Sequence, residues 1–163
     1  MKLSVIYDSK TGNTQAAAEA IAAGMMKAGG VEARCFRIPE VDADFVNESA
    51  GIVVGSPTYA AGLTPDLYDW LMRDSMPLIR PAGKLGGAFA TGQYIHGGED
   101  LTIQFLLTHL LVRGMMVYSG GNAFGHPVVH IGPVAISPDK EGFRELFEIY
   151  GERFAAQAKK IIE

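Results

Sequence analysis

Leu3-Ser4-Val5-Ile6-Tyr7-Asp8-Ser9-Lys10-Thr11-Gly12-Asn13-Thr14 is the stretch that decides the fold. It opens with a short β-rich apolar run, Leu3 to Tyr7, turns polar, and leads into an alanine-rich segment from Asn13 to Lys27. That order reads strand, loop, helix. The loop Ser9-Lys10-Thr11-Gly12-Asn13-Thr14 puts three hydroxyls, a glycine and an asparagine where the first amides of a helix have no intrahelical acceptor. A phosphate fits such a place. Amides and hydroxyls donate to its oxygens, the helix dipole adds about 0.3–1 kcal/mol for an anion, and Gly12 permits close approach. The spacing matches neither the triphosphate loop nor the dinucleotide glycine fingerprint, so ATP and NAD are not read as its resident ligands.

Outward from this unit the same alternation continues. Val31 to Ile38 follows Gly29-Gly30 with Val31, Ala33 and Cys35 on one side and Glu32 and Arg34 on the other, the pattern of a strand near a sheet edge. Gly51 to Ser56 is compact and apolar, as in a central strand covered on both faces. Thr64-Pro65 is an N-cap followed by proline at the first helical position, and Leu67, Trp70 and Leu71 give that helix its apolar face. Gly86 to Thr91 reads as a fourth strand, Leu101 to Arg113 as a helix stopped by Gly114, and Met115 to Tyr118 as a fifth strand. Ser119 to Ile136 is rich in Gly and Pro and reads as irregular. Ser137-Pro138-Asp139 opens a last helix carrying Phe143, Leu146, Phe147, Tyr150, Phe154 and Ile161 at helical spacing.

Parallel neighbours need long right-handed crossovers, so this order predicts one α/β domain over residues 1–163: a doubly wound five-stranded parallel sheet, order 2-1-3-4-5, with helices on both faces. Ligands of such sheets sit beyond the carboxyl ends of the strands where strand order reverses. Two further loops therefore matter, Pro57-Thr58-Tyr59-Ala60-Ala61-Gly62 and Thr91-Gly92-Gln93-Tyr94-Ile95-His96-Gly97-Gly98.

The pattern hydroxyl, any residue, hydroxyl, Gly, any residue, hydroxyl after the first strand resembles the phosphate loop of the flavodoxin superfamily. The resemblance implies a flavodoxin-like fold and FMN held without a covalent bond, its phosphate on Ser9, Lys10, Thr11, Gly12, Asn13 and Thr14. Its ring would be clasped by Pro57, Thr58, Tyr59 and Gly62 and by Thr91, Gly92, Gln93, Tyr94, His96 and Gly97. Gly55-Ser56-Pro57-Thr58, Gly83-Lys84-Leu85 before Gly86-Gly87-Ala88-Phe89, Gly97-Gly98-Glu99 and Gly114-Met115-Met116-Val117 resemble the WrbA-type NAD(P)H:quinone oxidoreductases. This chain is shorter than those proteins and has Arg113 where they carry a histidine near the flavin. Two roles for Arg113 stand side by side: a positive charge near the flavin, and a cation at a helix C-terminus. The subgroup implies NAD(P)H as electron donor, a quinone or similar small acceptor, and a homo-oligomer. The alternative within the superfamily is a non-enzymatic carrier shuttling electrons between redox proteins.

Composition sets the outer bounds. With 14 basic and 18 acidic residues the formal charge is -4, too mild to point to nucleic acid or a membrane surface, and a carrier with a strongly acidic docking face would be expected to be more negative. No apolar run approaches the roughly 20 residues of a membrane span. The single cysteine, Cys35, cannot close an internal disulfide, and the cytoplasm is the expected location. His126 and His130 have metal-like spacing without a carboxylate or thiol to complete a site. Met25-Met26 and Met115-Met116 read as core fillers. A phospho-accepting receiver domain would need an aspartate at the end of the third strand, where Ser56-Pro57 stand, and no nucleophile elbow is present for acyl transfer.

Overall fold

The computed structural model describes residues 1–137 and 140–162. Five elements of its sheet run in the expected order. Strand β1 (Lys2–Tyr7) lies between β2 (Glu32–Arg37) and β3 (Gly51–Pro57), and β3 pairs with β4 (Leu85–Gly92), which pairs with β5 (Met116–Val117). All pairings are parallel. Helices α1 (Asn13–Lys27) and α6 (Lys140–Ile162) cover one face. The other carries α2 (Ala43–Glu48), α5 (Glu99–Val112) and a helix in three parts, α3 (Pro65–Asp69), a π turn at Trp70–Asp74, and α4 (Ser75–Leu78).

Alternation along the strands separates two cores. Leu3, Val5, Val53 and Phe89 point to the side of α1 and α6, where they meet Ile21, Met25, Phe147, Tyr150 and Phe154. Ile6, Ile52, Val54 and Ala88 point to the opposite side, against Leu67, Trp70, Leu71, Ile103, Leu106 and Leu110. The strand alternation therefore sorts apolar residues into two layers without leaving a solvated face. On the first side the helices close tightly. A methyl group on Gly24 of α1 would lie 1.9 Å from the Glu148 carbonyl oxygen of α6, and one on Gly151 of α6 would lie 2.0 Å from that of Ile21.

Several expectations are revised. The fifth strand is shorter than Met115–Tyr118, and the segment expected to be irregular contains a sixth strand, β6 (Val134–Ile136). Both β5 and β6 pair with β4, the first beside Leu85 and Gly86 and the second beside Ala90 to Gly92. One edge position is thus filled in two pieces, with residues 118–133 looping out between them. Half of each methionine pair is core: Met25 and Met115 are buried, while Met26 and Met116 are about half exposed. Of the α6 stripe, Phe147, Tyr150 and Phe154 are buried and Ile161 is exposed. Helix α2, capped by the Asp42 side chain accepting from the Phe45 amide, was not anticipated. Pro138 and Asp139, expected to open α6, lie outside the described residues.

Candidate functional site at the carboxyl edge of the sheet

Where β1, β3 and β4 end, three loops enclose one open cleft of ≈ 430 Å³. Lys10, Thr11, Asn13 and Thr14 come from the first loop, Pro57, Thr58 and Tyr59 from the second, and Thr91, Gly92 and Gln93 from the third. Its size is that of a small-molecule site. Ten of the residues singled out in the sequence are brought together there.

The first loop is shaped by Gly12, whose φ of 89° is left-handed and costs little only for glycine. No side chain caps α1, and its first turn holds no acidic residue, so the helix presents amides and positive dipole without a built-in anion. The buried Ser9 hydroxyl accepts from the Gly12 amide at 3.1 Å, leaving its own proton to give. Thr14 and Thr91 share one hydrogen bond at 2.8 Å, which uses one of their two hydroxyl protons and ties the start of α1 to the end of β4. Lys10 turns away. Its ammonium pairs with Asp66, and with the buried Asp8 at 3.8 Å, and the Asp66 hydrogen bond is the main reason its pKa stands above the ordinary lysine value. Asp8 in turn accepts from the Thr64 hydroxyl at 2.6 Å, so the β1 loop is locked to the N-cap of α3.

The second loop folds back on itself. Tyr59 and Gly62 exchange two backbone hydrogen bonds of 2.9 Å, with Ala60 and Ala61 both at positive φ, a conformation that costs an alanine energy and is stabilised here by its neighbours. Thr58 donates its amide to Thr91 at 2.7 Å, and the buried Thr102 of α5 bonds both Thr58 and Gly62. At Gly98, with φ of 98°, the third loop presses against the second: a methyl there would sit 2.3 Å from the Ala61 Cβ. The three loops are therefore fixed to one another.

Other expected residues lie farther out or elsewhere. Tyr94 and His96 stand exposed at the tip of the third loop, His96 with φ of 63°, and the Gly97 amide closes the turn on the Tyr94 carbonyl. Arg113 is a correction. Helix α5 runs from the cleft back to the opposite edge of the sheet, and Arg113 caps that far end, donating to Ser75 at 3.1 Å and to the Ile79 carbonyl at 2.8 Å. A flavin in the cleft is out of its reach; the helix-terminal role is the one it fills. Ser137 lines the cleft unannounced, delivered by β6 just behind the loop-like run Gly132-Pro133. The Cys35 thiol donates to the Ala18 carbonyl, and burial pushes its pKa up to about 12. His126 and His130 are both exposed, and among the described residues no trio of His, Cys, Asp or Glu is placed to hold a metal. Among them too, no helix is long and apolar enough to cross a membrane.

The flavodoxin family model matches residues 5–98. A flavodoxin of Clostridium saccharobutylicum is 42% identical over 161 residues, covering 99% of both chains. This chain belongs to the flavodoxin family. Other relatives fall in a second group: an NAD(P)H dehydrogenase (quinone) of Archaeoglobus fulgidus is 24% identical with 98% of each chain covered. Among solved structures, a WrbA-like flavodoxin from Agrobacterium tumefaciens superposes with a TM-score of 0.80 at 25% identity, over 98% of each chain. Both groups resembled in sequence are thus found among the chain's relatives.

Proposed function

We propose that this flavodoxin-family protein binds FMN in the three-loop cleft and works as an electron carrier between redox partners. The observation that carries the reading is the chemistry of the cleft walls. The uncapped start of α1, the Ser9 hydroxyl and the spare proton of the Thr14–Thr91 pair are donors suited to a phosphate monoester, with Gly12, Thr11 and Asn13 shaping the approach. Pro57, Thr58, Tyr59, Gly62, Thr91, Gly92 and Gln93 supply backbone amides and an aromatic face for the ring, and Tyr94, His96 and Gly97 flank its outer edge. When bound, the flavin would supply the redox chemistry.

Titratable side chains directly on the cleft wall are few among the described residues. Lys10 and Tyr59 are the titratable groups on the wall, Lys10 is tied to Asp66 and Asp8, and Tyr59 stands half exposed on a loop. Such a wall suits binding and tuning rather than acid–base catalysis. The extended similarity to a flavodoxin over both full chains supports the carrier. NAD(P)H-dependent reduction of a quinone-like acceptor, the function first read from the sequence, is the second reading, favoured by the WrbA-like likeness.

Purified protein should be yellow or take up FMN stoichiometrically. A Gly12→Ala/Thr14→Val double replacement should weaken FMN by at least about tenfold, roughly 1.4 kcal/mol, while leaving circular dichroism unchanged. The carrier, photoreduced without oxygen, should pass electrons to a haem protein and show no bleaching on addition of NADH or NADPH alone. Rapid bleaching by either nucleotide, reversed by quinone, gives the second reading its place. A colourless chain that refuses FMN ends both.

A further inference from the structure

Behind the cleft wall, at the first residue of α5, one buried carboxyl group lacks a counterpart. Glu99 is 6% exposed, and its Oε1 has no hydrogen-bond partner. Among the described residues it forms no ion pair, and no metal-holding cluster includes it. Two glycines of the third loop make the space it fills. A methyl on Gly92 would lie 1.8 Å from Oε1, and one on Gly97 would lie 2.7 Å from it. Gly92 is itself on the cleft wall, so the carboxyl group stands directly behind the ligand space.

The helix dipole does not account for this burial. Asp100, the next residue, is exposed and supplies a negative charge to the first turn from solvent. Burying Glu99 strips its carboxyl group of water, and an acceptor left unmade in that way is a net loss unless another state of the molecule completes it. Donors for it are in the same loop. The amides of Gln93, Tyr94, Ile95 and His96 bond to no protein group among the described residues, and all four residues are exposed. The ends of this tip are held: the Gly92 carbonyl accepts from the Ser137 amide at 2.8 Å, and the Gly97 amide donates to the Tyr94 carbonyl at 3.1 Å. That carbonyl oxygen and Oε1 both border the place of the methyl that Gly97 lacks, so a small rotation of the turn brings an amide from one acceptor to the other. A ligand in the cleft acts on the turn through Gly92 and Gln93, which line the wall.

We infer that Glu99 is a positioning residue for the cofactor: when FMN fills the cleft, an amide of the Gln93–Gly97 turn donates to its carboxyl group and fixes the third loop around the ligand. The inference rests on FMN being that ligand. The resting chain carries the unmade acceptor, and the loaded chain completes it with a charge-assisted hydrogen bond.

Two variants and three measurements test it. Glu99→Met keeps the side-chain length and removes the acceptor, and Glu99→Gln keeps one acceptor oxygen. Without FMN, both should unfold at a urea midpoint equal to or above that of wild type, because the partnerless carboxyl group is gone. Stopped-flow release of FMN should be at least about tenfold faster for Glu99→Met, with Glu99→Gln between it and wild type. In amide-resolved NMR spectra FMN should move one amide of residues 93–97 downfield in wild type but not in Glu99→Met; an amide bonded to the ring itself would move in both. The wild-type spectra need no variant and decide the matter if Glu99→Met does not fold. Midpoints below wild type for both variants would make Glu99 part of the resting structure, release at the wild-type rate would deny it a role in holding FMN, and unmoved amides would remove the hydrogen bond. Each overturns the inference and leaves FMN binding standing, whereas a wild type that refuses FMN overturns both.

Discussion

His109 is 8% exposed on the inner side of α5, and its Nε2 has no hydrogen-bond partner. It lies with Arg113 among the residues lining a small apolar recess behind the π turn. Burial first, and the Arg113 charge second, hold its pKa below the ordinary histidine value. The unfolded chain takes up a proton near pH 6.5 while the native chain resists it, so native stability is full above that pH and declines as pH falls toward the depressed native value. Urea midpoints at several pH values between 8 and 5 should therefore fall more steeply for the wild type than for His109→Leu. Equal slopes would show that His109 is not a source of the acid sensitivity. Arg113 shows how residue-level reading depends on topology. Its type suits a flavin neighbour or a helix terminus equally. The choice follows from direction: a helix that leaves a cleft at Gly98 returns to the opposite edge of the sheet, and Arg113 stands at its end.

Helix α6 and helix α1 approach backbone to backbone at Gly24 and Gly151, each glycine facing a carbonyl oxygen of the other helix. Mid-helix glycine ordinarily costs about 1 kcal/mol relative to alanine, so Gly151→Ala on propensity alone should stabilise. Here the added methyl would lie 2.0 Å from the Ile21 carbonyl oxygen, and the helices must part. Overpacking of that kind costs about 1–3 kcal/mol, and we expect Gly151→Ala to lower the unfolding free energy from urea melts by that amount, with a lower midpoint; a neutral or raised midpoint would mean that the helices slide without loss. Elements of this size were legible where a pattern runs long enough. The unit from Leu3 to Lys27 carries both a strand and an amphipathic helix, and its loop belongs to the pattern. The paired pieces β5 and β6 are two and three residues long, too short for alternation to register, and Val134–Ile136 follows the turn-like Gly132-Pro133. Ser137 went unread for the same reason: its place in the cleft is set by β6 pairing with Ala90 to Gly92. The π turn leaves no mark in the sequence, since Trp70 and Leu71 fit an ordinary helix as well.

At the scale of the whole molecule the formal charge of -4 is distributed unevenly, which a sum over the sequence conceals. Beside the first cleft loop, Asp8, Glu40, Asp66, Asp69 and Asp74 gather around Lys10 and Arg37, five carboxylates against two cations. A local negative field next to the cleft mouth attracts basic partners even when net charge is small, and steering of this kind raises association rates by about 10–10³-fold at low salt. Asp66 is committed to Lys10, and Asp8 to Thr64 and Lys10, whereas Asp69 and Asp74 are exposed. Asp69→Asn/Asp74→Asn should therefore leave FMN affinity and the urea midpoint nearly unchanged, because surface charges contribute little to folding. The same variant should slow electron transfer from reduced protein to a basic haem protein by about threefold or more in dilute buffer, and the difference should vanish above a few tenths molar salt as the Debye length shrinks to about 3–8 Å. Rates equal to wild type in dilute buffer would show that partners do not approach over this side. The docking field would then have to come from elsewhere on the rim, and the carrier reading would lose the support that charge distribution lends it.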